Sequence, residues 1–225
     1  MHIEPGIVDG AKTALGFATG TGAAAYTAHA AYSSAKEKGL VSLAARSLIT
    51  TALVFCFFQV LPHYPVGVSE VHFILGSTLF LLFGAAPAAI GLAAGLLLQG
   101  LFFAPFDLPQ YGMNITTLLV PLFAVQALAR RIIAPNTAYV DLTYGQTLAL
   151  STAYQAGIVS WVAFWAFYGQ GVSATTLASV GTFGAAYMLV ILAEPLVDLA
   201  VLAGAKSLRG LKDSGLVTPR LYAAA

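Results

Sequence analysis

Charge is what this sequence has least of. Only 8% of its 225 residues are Asp, Glu, Lys or Arg, and 59% are hydrophobic, whereas an ordinary soluble domain carries about 25% charged residues. So little charge cannot cover a water-facing surface, and the deficit points to lipid as the solvent. Cysteine is nearly absent too. The single Cys56, in the run Ala52-Leu53-Val54-Phe55-Cys56-Phe57-Phe58, excludes an intrachain disulfide and reads as a small buried hydrophobe. No phosphate-binding loop is present, because the one Gly-x-Gly, Gly20-Thr21-Gly22, falls inside an apolar segment instead of after a strand. Nucleotide hydrolysis must therefore come from a partner if it is needed at all, and nothing suggests a nucleic-acid ligand. Internal repeats, low-complexity stretches and a water-soluble domain are also missing. A basic leader is lacking as well, since Glu4 and Asp9 stand where a signal peptide needs cations. Met1 is thus expected to be the mature terminus.

Long apolar runs are what the chain has in abundance. Crossing the hydrocarbon takes about 20 mostly apolar residues as a helix. Segments of that kind cover roughly 11–33, 41–61, 72–84, 87–105, 112–133, 145–169 and 174–204. The third is short for a crossing and either tilts or begins in the preceding loop. The expectation is an all-α integral membrane protein, a single domain over 1–225 built as a bundle of about seven transmembrane helices. Residues 206–225 form a short basic tail.

The few cations are distributed unevenly. Lys36, Lys38, Arg46, Arg130, Arg131, Lys206, Arg209, Lys212 and Arg220, nine of the ten Lys and Arg residues, fall on one side when the spans alternate, leaving Lys12 on the other. The positive-inside tendency makes that side cytoplasmic. The amino terminus is then outside, the carboxyl terminus cytoplasmic, and His2, His63 and His72 share the outer face. His29, at the cytoplasmic end of the first span, reads as structural or interfacial. Glu194 and Asp198 are the exception to uncharged span interiors. They read either as an interfacial pair with Pro195 as a kink, or as a contact to a cytoplasmic partner.

Small residues recur every four positions at Gly16, Gly20, Ala24 and Ala28, and again at Gly91 and Gly95. Such faces let helix backbones approach closely in lipid. The first stripe serves either packing within the chain or a partner interface on another membrane protein.

Chemistry concentrates at the start of the chain and in one outer loop. A histidine at position 2 lets the terminal amine, the residue 2 amide nitrogen and the imidazole Nδ1 close two fused rings on one metal. That donor set suits late first-row ions, and one more imidazole would complete four nitrogens. A frayed terminus is the plainer alternative for an isolated His2. The loop from Pro62 to Gly76 holds His63, Glu70 and His72, and its Pro and Gly residues allow it to fold inward.

These residues resemble the CbiM/NikM family, the substrate-binding membrane (S) components of cobalt and nickel energy-coupling-factor transporters of the ABC type. The likeness rests on four pieces: the opening Met1-His2-Ile3 with Gly6; Pro65-Val66-Gly67 leading into His72-Phe73-Ile74-Leu75-Gly76; the stretch Ala93 to Phe103 with its Leu98-Gln99; and Gly112-Met113-Asn114. The resemblance implies a metal held by Met1, His2 and His72, with Asn114 orienting the loop or its imidazole. It implies transported Co²⁺ or Ni²⁺ with no permanent cofactor, and no enzymatic activity in this chain. The implied partners are a transmembrane coupling (T) subunit, cytoplasmic ATPase subunits and a small auxiliary membrane subunit, all in a bacterial inner or cell membrane. The chain departs from the family pattern at Ser69-Glu70-Val71, where Glu70 is either a fifth ligand or a solvated charge. His63 has no family counterpart and reads as interfacial or as part of an entry path. A vitamin-binding S component and an intramembrane metalloenzyme using Glu70 beside His72 stand as alternatives.

Overall fold

The computed structural model describes residues 2–207. Seven α-helices follow in order: α1 Thr13–Lys38, α2 Leu40–Gln59, α3 Gly76–Phe83, α4 Ala85–Phe102, α5 Tyr111–Ile132, α6 Tyr144–Gln170 and α7 Ala174–Ser207. A two-stranded antiparallel hairpin, β1 Tyr64–Val66 and β2 Ser69–Val71, precedes α3. The chain is an all-α membrane protein, and the hairpin is the one sheet among the described residues. Four helical segments, Leu40–Gln59, Ala85–Phe102, Pro105–Ile132 and Ala174–Ser207, are long and apolar enough to cross a bilayer. Helices α1 and α6 have 26 and 27 residues but carry Thr, Ser, Gly and Tyr, which lower their hydropathy.

Helix α3 departs from the span expected over 72–84. It has eight residues, which rise about 12 Å, well short of the ~30 Å hydrocarbon layer. Residues 72–75, His72 followed by three apolar side chains, lie outside any helix and enter α3 through Leu75 in the left-handed region at φ 53°. The chain therefore descends as hairpin, non-helical segment and half-helix before turning at Gly84, φ 93°, into α4.

That descent explains the two charges of α7. Glu194 and Asp198 are buried, at 0% and 1% exposure, so neither is an interfacial charge. The amide N–H groups of Ile74 and Leu75 donate to the Glu194 carboxylate, and the hydroxyls of Ser77 and Thr78 donate to Asp198. A helix start leaves its first N–H groups without intrahelical partners, and buried in a membrane such groups cost several kcal/mol each unless satisfied. Glu194 supplies the acceptor for the two amides that lead into α3, and Asp198 takes the hydroxyls of that helix's first turn. Gln155 of α6 donates to Glu194 and accepts from the Tyr187 hydroxyl at 2.7 Å, so the network closes on itself.

Small residues set the helix contacts elsewhere. A Cβ on Gly16 would lie 2.7 Å from the Met113 side chain, and one on Gly112 would lie 2.5 Å from the Gly16 carbonyl. Gly20 also faces Gly112. The upper half of the small-residue stripe is thus used between α1 and α5 and is not a free docking face, while Ala24 and Ala28 are exposed. Gly91 and Gly95 of α4 pack on Thr50 and Val54 of α2. Cys56 is exposed on α2 instead of buried, because its helix face has no protein neighbour. The cations Lys38, Arg46 and Arg130 line one cavity of about 340 Å³ together with His29 and Glu37, at the end of the bundle away from His2 and His72. Arg209, Lys212 and Arg220 of the basic tail lie outside the described residues.

Candidate metal centre

Residues 2–4 run along the hairpin as an added edge. Ile3 bridges Ser69 in antiparallel register, the Glu4 N–H donates to the Val68 carbonyl at 3.2 Å, and the Glu70 N–H donates to the His2 carbonyl at 3.0 Å. The Ser69 hydroxyl donates to that same carbonyl at 2.7 Å. Asn114 at the start of α5 accepts from the Ile3 N–H at 2.8 Å. These bonds engage His2 O, Ile3 N and Glu4 N. They fix the terminal segment through groups other than the amide nitrogen a terminal chelate would need. Asn114 thus holds the terminal strand through the Ile3 amide. The terminus is not frayed at residue 2: His2 is 2% exposed and Ile3 0%.

The strand delivers His2 into the bundle beside His72, which is 3% exposed. The two rings are 5.9 Å apart and nearly perpendicular, and Phe58 of α2 packs edge-on against both. One ligand atom from each of His2, Glu70 and His72 lies within 4.8 Å of the others. Ligands at ~2.1 Å from one ion stand at most about 4.2 Å apart, so the three are close to the spacing that a single metal would need. His63 stays away from this group, its Nδ1 bonded to the Leu61 carbonyl at 3.1 Å. Met1 lies outside the described residues.

Two further side chains meet His2: Asp107 belongs to no motif in the sequence, and Gln99 lies in the stretch Ala93 to Phe103 with no role assigned to it there. Asp107, from the turn Pro105–Gln110, contacts His2 Nδ1, and Glu70 stands 3.8 Å from the same atom. Gln99 of α4 meets His2 Nε2 through its Oε1 at 2.9 Å, while its amide nitrogen donates to the Phe58 carbonyl at 3.2 Å. That second bond fixes which way the amide faces. Its oxygen accepts from the ring, so Nε2 is a donor and Nδ1 is the nitrogen turned toward the carboxylates. Asp107 was recognisable as the one carboxylate of the 105–111 loop, and Gln99 as a lone amide in an apolar span. Neither signal says which distant residue it meets.

The electrostatics favour a cation. Glu70 and Asp107 stand beside His2, and the Glu4 carboxyl is pushed up from its ordinary value of 4.5 by burial and then by the charges of Glu70 and Asp107. A divalent ion would relieve that repulsion.

The family described as CbiM, cobalt uptake substrate-specific transmembrane region, matches residues 2–210. The chain belongs to the CbiM family. Two solved structures share its fold. A transition metal transporter is 18% identical with a TM-score of 0.70 over 96% of each chain. A truncated transition metal transporter is 18% identical with a TM-score of 0.64, over 95% of this chain and 99% of that one. At that identity the likeness concerns the fold alone. No curated protein matches the chain. As a CbiM protein it is a multi-pass membrane component of a metal uptake transporter, not an enzyme, and metal is what it handles as substrate.

Proposed function

We propose that this chain is the substrate-binding subunit of a Co²⁺ or Ni²⁺ uptake transporter, acting as one membrane-embedded unit. The metal is held by the Met1 amine, the His2 amide nitrogen and Nδ1, and the His72 imidazole. The observation that carries the reading is the burial of His2 beside His72, with the terminal strand fixed and His2 Nε2 bonded to Gln99. The ion takes the place on Nδ1 that Asp107 holds, and Glu70 is near enough to add an oxygen ligand. Planar nitrogen donors suit Ni²⁺, whereas added carboxylate oxygens shift the balance toward Co²⁺.

In this reading the terminus and the hairpin face outward and the cationic end faces the cytoplasm. A coupling subunit and cytoplasmic ATPases supply the energy for release, with an auxiliary membrane subunit assisting. Each ligand must lose a proton to coordinate, so affinity falls as pH falls.

The test compares Co²⁺ and Ni²⁺ affinity of the purified protein, its amino terminus verified by mass spectrometry, with a variant carrying one alanine before Met1. The native protein is expected to bind one ion tightly and the extended variant to lose it. Equal binding by both would move the site to the side chains alone and refute the terminal chelate.

A further inference from the structure

The metal site does not use Glu194 or Asp198, although both are buried in α7 and each accepts bonds from the segment that carries His72. That segment is laid along a single face of α7. Gly67, at the hairpin turn, lies so close to the backbone of Ser179 that a Cβ has no room. Ile74 and Leu75 bond to Glu194, and Ser77 and Thr78 to Asp198. Ser179 and Glu194 are fifteen residues apart on one helix, about 22 Å along its axis and close to four full turns. Gly67 and Ile74 are seven residues apart, and seven residues reach at most about 25 Å. The chain between these two anchors is short and has β2 paired within it, and His72 lies two residues before the lower anchor.

We propose that Glu194 is a positioning residue for His72. By gripping the Ile74 and Leu75 amides it sets the height at which His72 meets His2, so metal affinity depends on Glu194 through His72 alone. A short segment fixed at both ends transmits displacement of either anchor, whereas a long free loop would absorb it. Gln155 and Tyr187 hold the carboxylate in place from α6 and α7. Pro195, directly after Glu194, removes one backbone hydrogen bond from α7, so the helix is weakest where it holds the segment. Bending there would draw His72 away from His2.

The inference rests on the reading that His72 is a ligand, and the experiment separates the two. Co²⁺ affinity and the Co²⁺ ligand-field spectrum are measured for the full-length wild type and for Glu194→Asp, Glu194→Gln, His72→Ala and each double variant, with thermal midpoints as a fold control. Glu194→Asp keeps the charge but shortens the grip by one methylene, and it is the milder change for folding. Both Glu194 variants are expected to weaken Co²⁺ binding by about 10- to 100-fold and to shift the spectrum toward that of His72→Ala. In the His72→Ala background neither variant should weaken binding further. Wild-type affinity in Glu194→Asp and Glu194→Gln, with His72→Ala weakened, would overturn the positioning role and leave the metal site standing. An undiminished loss in the His72→Ala background would overturn it too, by showing a general structural effect. Wild-type affinity in His72→Ala would remove His72 from the site, and the positioning role with it.

Discussion

Replacing Asn114 by alanine removes one acceptor and leaves the rest of α5 unchanged. The Ile3 N–H it serves is 2.8 Å away on a residue with 0% exposure, so no water replaces it. A buried donor left unsatisfied costs about 1–3 kcal/mol. The variant can avoid that cost while empty by releasing residues 2–4 from the hairpin edge. It then meets the cost on binding, when His2 must return. At about 1.4 kcal/mol per tenfold, affinity for Co²⁺ or Ni²⁺ should fall by roughly 5- to 150-fold. Competition against a chromophoric chelator in detergent solution reads this directly. Asn114→Asp keeps an acceptor oxygen on a side chain of the same length and should bind more tightly than Asn114→Ala. Wild-type affinity in Asn114→Ala, or equal losses in the two variants, would refute the claim that this bond holds the terminal strand for binding.

Other outcomes follow from the same geometry. Gln99→Leu takes the acceptor from His2 Nε2 and the donor from the Phe58 carbonyl, and should weaken metal binding by about tenfold or more; unchanged affinity in the same competition assay would show that the amide does not set the ring. Gly112→Val drives a side chain into the Gly16 carbonyl and should destabilise the fold by about 1–3 kcal/mol, seen as a lower thermal midpoint. Ala24→Leu and Ala28→Leu, on exposed positions of α1, should leave that midpoint unchanged. Copurification with a coupling subunit then tests the lower half of the stripe without disturbing the fold. Glu4, pushed above 4.5 by burial and by Glu70 and Asp107, binds its proton more tightly folded than unfolded. Its contribution to stability is full below pH 4.5 and is lost as pH rises through the raised value. Glu4→Gln should flatten that decline in the metal-free protein, and identical pH slopes would count against it.

Much of the bundle was legible because lipid imposes a simple rule on composition. The apolar run at 41–61 became α2 Leu40–Gln59, and that at 112–133 became α5 Tyr111–Ile132. The third span failed the same rule for a physical reason. Hydropathy measures what lipid tolerates, and Phe73-Ile74-Leu75 is apolar whether helical or extended. Only the acceptors on α7 make the non-helical form tolerable, and they lie about 120 residues further on. Glu194 and Asp198 stood out in the sequence as costly charges, but Glu194 is met by backbone amides, which leave no mark in a sequence, and Asp198 by two hydroxyls about 120 residues away. Cys56 was misplaced because burial in lipid and burial in protein have the same composition. At the metal centre, the terminal histidine and the loop histidine drew notice by residue type. Asp107 and Gln99 required knowing that the start of the chain folds back 105 and 97 residues onto them.

The bonds that build the metal centre also order its assembly in time. The terminal strand waits for Asn114, 111 residues later, to receive the Ile3 amide. The segment bearing His72 waits for Glu194, 120 residues after Ile74. A chain emerging from the ribosome at about 5–20 residues per second holds its first ligand in hand well before the pieces that immobilise it exist. The centre becomes complete only when the last helix has been inserted. A truncated or stalled product that ends before α7 therefore lacks the Glu194 bonds that hold the His72 segment beside His2.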